Sequence, residues 1–199
     1  TSNEGSAVAL AIGYNLATKK IPCVYMQNSG LGNALNPLIS IAHPKVYSIP
    51  ILLMIGWRGS PGINDEPQHK VKGSITRDLL KLMNIKYCVL KKTNDLKKLK
   101  KLIQYAKKNN KPIACLIPKK TFENRNLETK IEKSSYKLKR EDFIKILLKT
   151  INKNDKIVAT TGYTSRELNQ IRLKNNEKRG KDFYMVGGMG HSSMVSLGI

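Results

Sequence analysis

The chain is short of acids. Against 36 Lys and Arg it carries 14 Asp and Glu, a net charge of +22 over 199 residues. An imbalance of that size raises the question of a polyanionic partner, but two further shortages argue against nucleic acid. Aromatic residues make up 6% of the chain, few for a base-stacking platform. The positive charge is mostly lysine rather than arginine, whose planar fork suits phosphate. The lysines are spread along 91–111 and 119–181 in company with Asn and Ile, as a composition bias acting on exposed positions would leave them. We read a solvated lysine face and expect no nucleic-acid partner. A basic nucleic-acid-binding module is the alternative of another class, and its signature would be affinity that falls steeply with salt.

Cysteine is scarce too. Cys23, Cys88 and Cys115 are odd in number, lack metal-ligand spacing and sit within apolar runs, which reads as buried free thiols in a reducing compartment. Long apolar runs are missing: none approaches the roughly 20 residues of a membrane span, and no charged-then-apolar leader opens the chain. A cytoplasmic protein with no membrane partner is expected. There is no initiator Met before Thr1, and an apolar helix-like pattern is still running at Ile199, so the sequence is expected to be a fragment. What is present, 40% hydrophobic residues, suffices for an ordinary buried core.

Hydrophobic periodicity organises that content. Apolar spacing in Ala7, Leu10, Ala11, Tyr14 and Leu16 predicts a helix opening just after Asn3-Glu4-Gly5, followed by a buried strand over 21–26. A short helix over 31–41, a strand over 49–55, a long polar loop over 56–73, a helix over 75–83, a strand over 87–90, a Lys-rich helix over 96–109 and a strand over 112–117 complete the alternation. Strands and helices in that order predict an α/β fold, a parallel sheet with helices on both faces. Residues 118–138 are polar and aperiodic, which reads as a linker. Beyond it come a helix led by Glu141-Asp142, a strand over 157–159, a turn at Thr160-Thr161-Gly162, a helix from about Thr164 and a strand over 183–186 running into Gly187-Gly188-Met189-Gly190. The expected organisation is a domain over 1–118, a linker over 119–139 and the truncated start of a second, similar domain over 140–199.

Two glycine turns follow buried strands, Gly30-Leu31-Gly32 and Gly188-Met189-Gly190. Neither has the third glycine of a dinucleotide fingerprint, and the first lacks an acid about 20 residues on. They are either places where a ligand approaches backbone closely or tight turns without one. Glu4, at the mouth of an apolar helix, is either a pocket carboxylate or an exposed acid of a first helical turn.

Asn-Glu-Gly opening a helix, then a buried strand into Asn-Ser-Gly-Leu-Gly-Asn-Ala, resembles the pyrimidine-binding domain of thiamine-diphosphate enzymes. Residues 24–38 (VYMQNSGLGNALNPL), 56–62 (GWRGSPG), 65–69 (DEPQH) and 160–168 (TTGYTSREL) are together similar to the phosphonopyruvate decarboxylases of that family. The resemblance implies a thiamine-diphosphate-binding fold, a pyrimidine domain followed by a diphosphate domain, and decarboxylation of 3-phosphonopyruvate to phosphonoacetaldehyde and carbon dioxide in phosphonate biosynthesis. The matching glutamate, Glu4, would hydrogen-bond N1′ of the aminopyrimidine and favour its imino tautomer. Gly30 and Gly187 would contact cofactor. Met189 would sit beneath it, unless it is ordinary core filler.

Arg58, Gln68 and His69 would face the carboxylate and phosphonate of the substrate, Arg58 as a bidentate donor. The alternative for Arg58 is a pair with Asp65 or Glu66 that fixes the loop. His43 reads as structural and Trp57 as a loop anchor, while His191 either lines the pocket or caps the last helix. The family's Gly-Asp-Gly and later Asn, which ligate the Mg2+ that holds the diphosphate, have no counterpart in the sequence and are expected downstream, as the domain's first strand is expected upstream. No metal ligand is therefore assigned here. Partners implied are a small 2-oxo acid and a second copy of the chain in a homo-oligomer. Sulfopyruvate decarboxylase is the rival within the same chemistry.

Overall fold

The computed structural model describes residues 1–123, 136–152, 154–177 and 182–199. The chain divides into two compact units, Thr1–Asn126 and Leu127–Ile199. The expected linker falls largely on residues 124–135, outside the described residues.

In the first unit, helix α1 (Glu4–Thr18) starts where predicted because Asn3 caps it, its side-chain oxygen accepting from the backbone N–H of Gly5 and Ser6. It ends at Lys19, which adopts a left-handed conformation. Strands β1 (Cys23–Gln27), β2 (Leu52–Trp57), β3 (Lys86–Val89) and β4 (Ile113–Pro118) form one parallel sheet in the order β1-β2-β4-β3. Register runs Cys23 to Leu52 and Leu52 to Ile113 across the first three, and Cys88 to Cys115 between β3 and β4.

Alternation explains why the strands read as continuous apolar runs. Leu53, Ile55, Ala114 and Leu116 face one core with Val8, Ala11 and Ile12 of α1. Leu52, Met54, Cys115 and Ile117 face a second core with Leu99 of the Lys-rich helix. All six residues of β4 are buried. Helices thus cover both faces: α1, α2 (Leu31–Pro37) and α3 (Pro67–Leu82) on one, α4 (Leu96–Asn109) on the other. No helix among the described residues is long and apolar enough to cross a membrane.

Three expectations are corrected. The segment 56–73 is not all loop, for α3 begins at Pro67, a proline in the first helical turn. Gln68 and His69 therefore lie on the opening turn of a helix. Strand β1 is buried on one face only, with Cys23, Tyr25 and Gln27 exposed, because α4 packs over β3 and β4 while β1 is an edge strand among the described residues. The three thiols do not share one environment either: Cys23 is exposed, Cys88 half-buried and Cys115 buried.

The second unit holds α5 (Arg140–Thr150), β5 (Val158–Ala159), α6 (Tyr163–Lys174), β6 (Phe183–Tyr184) and α7 (Ser192–Leu197). Strands β5 and β6 pair in parallel, and Ile144, Ala159, Leu168 and Ile171 form a small core of their own. Arg172 is tied to Asp182 and Glu177 beside it.

Candidate active site

The helix start at Glu4 and the turn at Gly30 meet in space. Capping by Asn3 sets Glu4 in the first turn of α1, half-buried. From β1 the chain turns through a short 3-10 segment, Asn28–Gly30, into α2. Asn33 then donates from Nδ2 to Glu4 Oε2 at 2.9 Å.

The contact is close enough to need glycine. A Cβ on Gly30 would lie 2.3 Å from Glu4 Cγ and 2.6 Å from Oε1, and a Cβ on Gly5 would lie 2.7 Å from the Asn33 carbonyl oxygen. Glu4 also lines a groove of about 670 Å3 between α1 and β1, whose walls include Leu10, Tyr14, Val24 and Tyr25. A carboxylate with one oxygen fixed by an amide, at the polar end of a groove with mixed walls, can share a proton with a weakly basic heteroaromatic nitrogen.

The loop after β2 is held by a buried amide. Asn28 Oδ1 accepts from Arg58 N at 3.1 Å, and its Nδ2 donates to Arg58 O at 2.9 Å and to Thr76 Oγ1 at 3.0 Å. The Arg58 guanidinium grips Asp65 with Nε donating to Oδ2 at 2.7 Å and Nη2 to Oδ1. Asp65 also accepts from the backbone N–H of Gly59 and Glu66. The pairing of Arg58 with Asp65, foreseen as one alternative, is therefore present.

On α3, Gln68 Oε1 and His69 Nδ1 are buried without a hydrogen-bond partner among the described residues. An unpaired buried polar atom costs on the order of 1–3 kcal/mol, a cost that a hydrogen-bonding ligand at these two atoms would offset. Burial, and then the positive Arg58, lower the His69 pKa. The imidazole is therefore a neutral donor and acceptor at neutral pH.

The same pair gives a stability prediction. The Arg58 hydrogen bonds hold Asp65 far below the ordinary carboxylate range, so its contribution is present above about pH 4, the unfolded value. It is lost as pH falls from there toward the depressed native value. Asp65→Asn should therefore flatten the acid limb of stability against pH while lowering stability at pH 7. Urea midpoints from pH 7 to pH 2.5 check this, and parallel curves for the two proteins would contradict it.

Two further residues behave as the sequence suggests. Trp57 is buried, donates from Nε1 to Gly73 O at 2.9 Å and carries the Arg77 guanidinium 4.7 Å over its ring. His43 Nδ1 accepts from Lys45 N within a turn.

In the second unit, Gly188 and Gly190 have φ of 68° and 88°. Met189 between them is 79% exposed, so it is not core filler within this unit. His191 occupies the cap position of α7 without a side-chain capping bond. Among the described residues no group of three or more His, Cys, Asp or Glu could hold a metal ion. Sequence reasoning gave no role to Asn33, Asn28 or Gly59. A polar residue ending a buried strand was the available signal for Asn28.

Residues 1–82 match the family model described as "Thiamine pyrophosphate enzyme, N-terminal TPP binding domain". Over 214 aligned positions and 100% of its length, the chain is 33% identical to a phosphonopyruvate decarboxylase of Streptomyces viridochromogenes, of which it covers 52%. It is equally 33% identical, over 100% of its length, to a phosphonopyruvate decarboxylase of Streptomyces hygroscopicus, covering 51%. A sulfopyruvate decarboxylase of Methanosarcina acetivorans is 26% identical over 100% of the chain, which covers 54% of it. The chain thus spans about half the length of these curated relatives.

Proposed function

We propose, because residues 1–82 match the model of the N-terminal domain of thiamine pyrophosphate enzymes, that the intact protein decarboxylates 3-phosphonopyruvate to phosphonoacetaldehyde and carbon dioxide. The reaction would serve phosphonate biosynthesis in the cytoplasm, with thiamine diphosphate and Mg2+ as cofactors and a homo-oligomer as the working form. One observation carries this reading: the whole chain aligns with phosphonopyruvate decarboxylases at 33% identity, against 26% for a sulfopyruvate decarboxylase of similar coverage. The second domain, begun over 140–199, would contribute Gly187 and Met189 to the cofactor, and the Mg2+ ligands would come from chain outside these residues.

The residues at α1 suit the aminopyrimidine half of the cofactor, since a close-approach glycine, a half-buried carboxylate and a groove with polar and apolar walls occur together. When bound, thiamine diphosphate supplies the electron sink for loss of carbon dioxide. Glu4 would hold and share a proton at the pyrimidine, and Asn33, by fixing Oε2, orients the carboxylate. Gly30 keeps that position free of a side chain. Arg58, Gln68 and His69 would receive the substrate: the guanidinium supplies charge from within its pair with Asp65, and the two unpartnered buried atoms supply neutral hydrogen bonding.

Sulfopyruvate decarboxylation is the second reading, favoured by the relative from Methanosarcina acetivorans. The test compares kcat/KM of the full-length protein for 3-phosphonopyruvate and 3-sulfopyruvate. The phosphonate should be preferred by at least tenfold; preference for the sulfonate would transfer the assignment, and turnover of neither would remove it.

A further inference from the structure

The C-terminal ends of β2, β3 and β4 surround a second hollow in the first unit, of about 250 Å3, that shares no lining residue with the groove at Glu4. Trp57 and Pro118 come from the strand ends, Arg77 from α3, Lys91 from just after β3, and Lys119 and Lys120 from just after β4. Four lining residues are cationic and none is acidic. That edge of a parallel sheet is where α/β folds take ligands.

A basic chain has cations everywhere, and what distinguishes these four is that they line one hollow with no acid among its walls. In the first unit Arg58 pairs with Asp65, Lys81 with Asp78 and Lys98 with Asp95, and most of the remaining lysines show no ion pair among the described residues. Among the described residues no ion pair involves Arg77, Lys91, Lys119 or Lys120. Their convergence is also held in place. Arg77 is stacked on Trp57 at 4.7 Å, and Trp57 is itself buried. Thr121 Oγ1 donates to Pro118 O at 2.8 Å and to Leu90 O at 3.2 Å, tying the segment after β4 to the end of β3. Lys120 has φ of 65°, a conformation that costs a non-glycine residue energy and occurs preferentially at functional positions. Like charges gathered around one hollow are repulsive until an anion enters, and a volume of this size is too small for a nucleotide.

We propose that this hollow binds a small phosphate or phosphonate dianion, held by Arg77, Lys91, Lys119 and Lys120. The site stands apart from the decarboxylase reading, because it uses none of the residues assigned to cofactor or substrate. Two sources of the dianion share this chemistry, free inorganic phosphate and the phosphonate end of a 3-phosphonopyruvate molecule.

Isothermal titration of the full chain with inorganic phosphate, at fixed ionic strength in chloride, tests the site without any assay of turnover. Saturable binding of one phosphate is expected, and Lys91→Gln with Lys119→Gln should weaken it about tenfold or more, as expected for losing charge-assisted hydrogen bonds. The exposed α4 pair Lys97→Gln with Lys101→Gln removes the same charge and should leave the affinity unchanged. Absence of saturable binding, or equal weakening by the α4 pair, overturns the proposal. Titration with 3-phosphonopyruvate separates the sources: if it displaces phosphate from this site the substrate's phosphonate is a ligand, and if it does not the ligand is free phosphate.

Discussion

Glu4→Gln is expected to lower turnover of the full-length protein by at least about 100-fold, the lower end of what a positioned acid–base group contributes. The substitution keeps the side chain's shape, and its amide oxygen can still accept from Asn33 Nδ2, the bond that holds Glu4 Oε2 at 2.9 Å. Packing against Gly30, where no Cβ could be accommodated without displacing Glu4, is also unchanged. What disappears is the capacity to hold and release a proton. Thermal unfolding of the variant should therefore match the parent within the few tenths of a kcal/mol expected of a half-exposed position. A loss of turnover with unchanged unfolding assigns the defect to proton handling. Near-normal turnover would remove Glu4 from the site, while a comparable loss of stability would make it a structural acid of the first helical turn.

What the sequence revealed, and what it hid, follows from where each signal resides. The strands of the sheet were legible because both faces of β2 and β4 pack against apolar cores, fully buried in β4 and partly on one face of β2, so that Leu52 through Ile55 and Ile113 through Ile117 are apolar without a break. The half-exposure of β1 was not legible, since Cys23-Val24-Tyr25-Met26 reads as equally apolar and only the strand order makes it an edge. Helix α3 was read as starting eight residues late for a related reason. Its buried face is Gly73, Thr76 and Leu80, two of the three without the apolar character that marks a 3.6-residue period.

The candidate site shows the same division. Glu4 and the Gly30 turn were found together because each carries its own local pattern, a capped helix start and a glycine after a strand. Their physical link, Asn33, and the bracing of Arg58 by Asn28 and Asp65 join residues from 7 to 30 positions apart, for which no periodicity exists.

Gly73→Ala should destabilise the first unit by about 2 kcal/mol or more, although alanine is the better helix former by about 1 kcal/mol. The reason is contact with backbone. A Cβ on Gly73 would lie 1.8 Å from Gly59 O, 2.2 Å from Gly59 C and 2.7 Å from Arg58 O. No rotamer change can relieve these contacts, so α3 and the loop must separate, and overpacking of a tight interior contact costs about 1–3 kcal/mol or more.

Separation is opposed from the loop side. Gly59 has φ of 63°, and its own Cβ position falls 1.8 Å from His69 O, while Trp57 Nε1 is bonded to Gly73 O. The melting temperature should fall by roughly 5–15 °C. Gly13→Ala is the control, because Gly13 lies within α1 with nothing within 4 Å of the added carbon, and it should hold or raise the melting temperature. A similar rise in both variants would show that α3 and the loop are not locked at Gly59. If they are locked, Gly73→Ala also displaces Arg58 and the opening turn that carries Gln68 and His69. In the full-length protein KM for the 2-oxo acid should then rise more than kcat falls, which places the lesion in substrate capture rather than at Glu4.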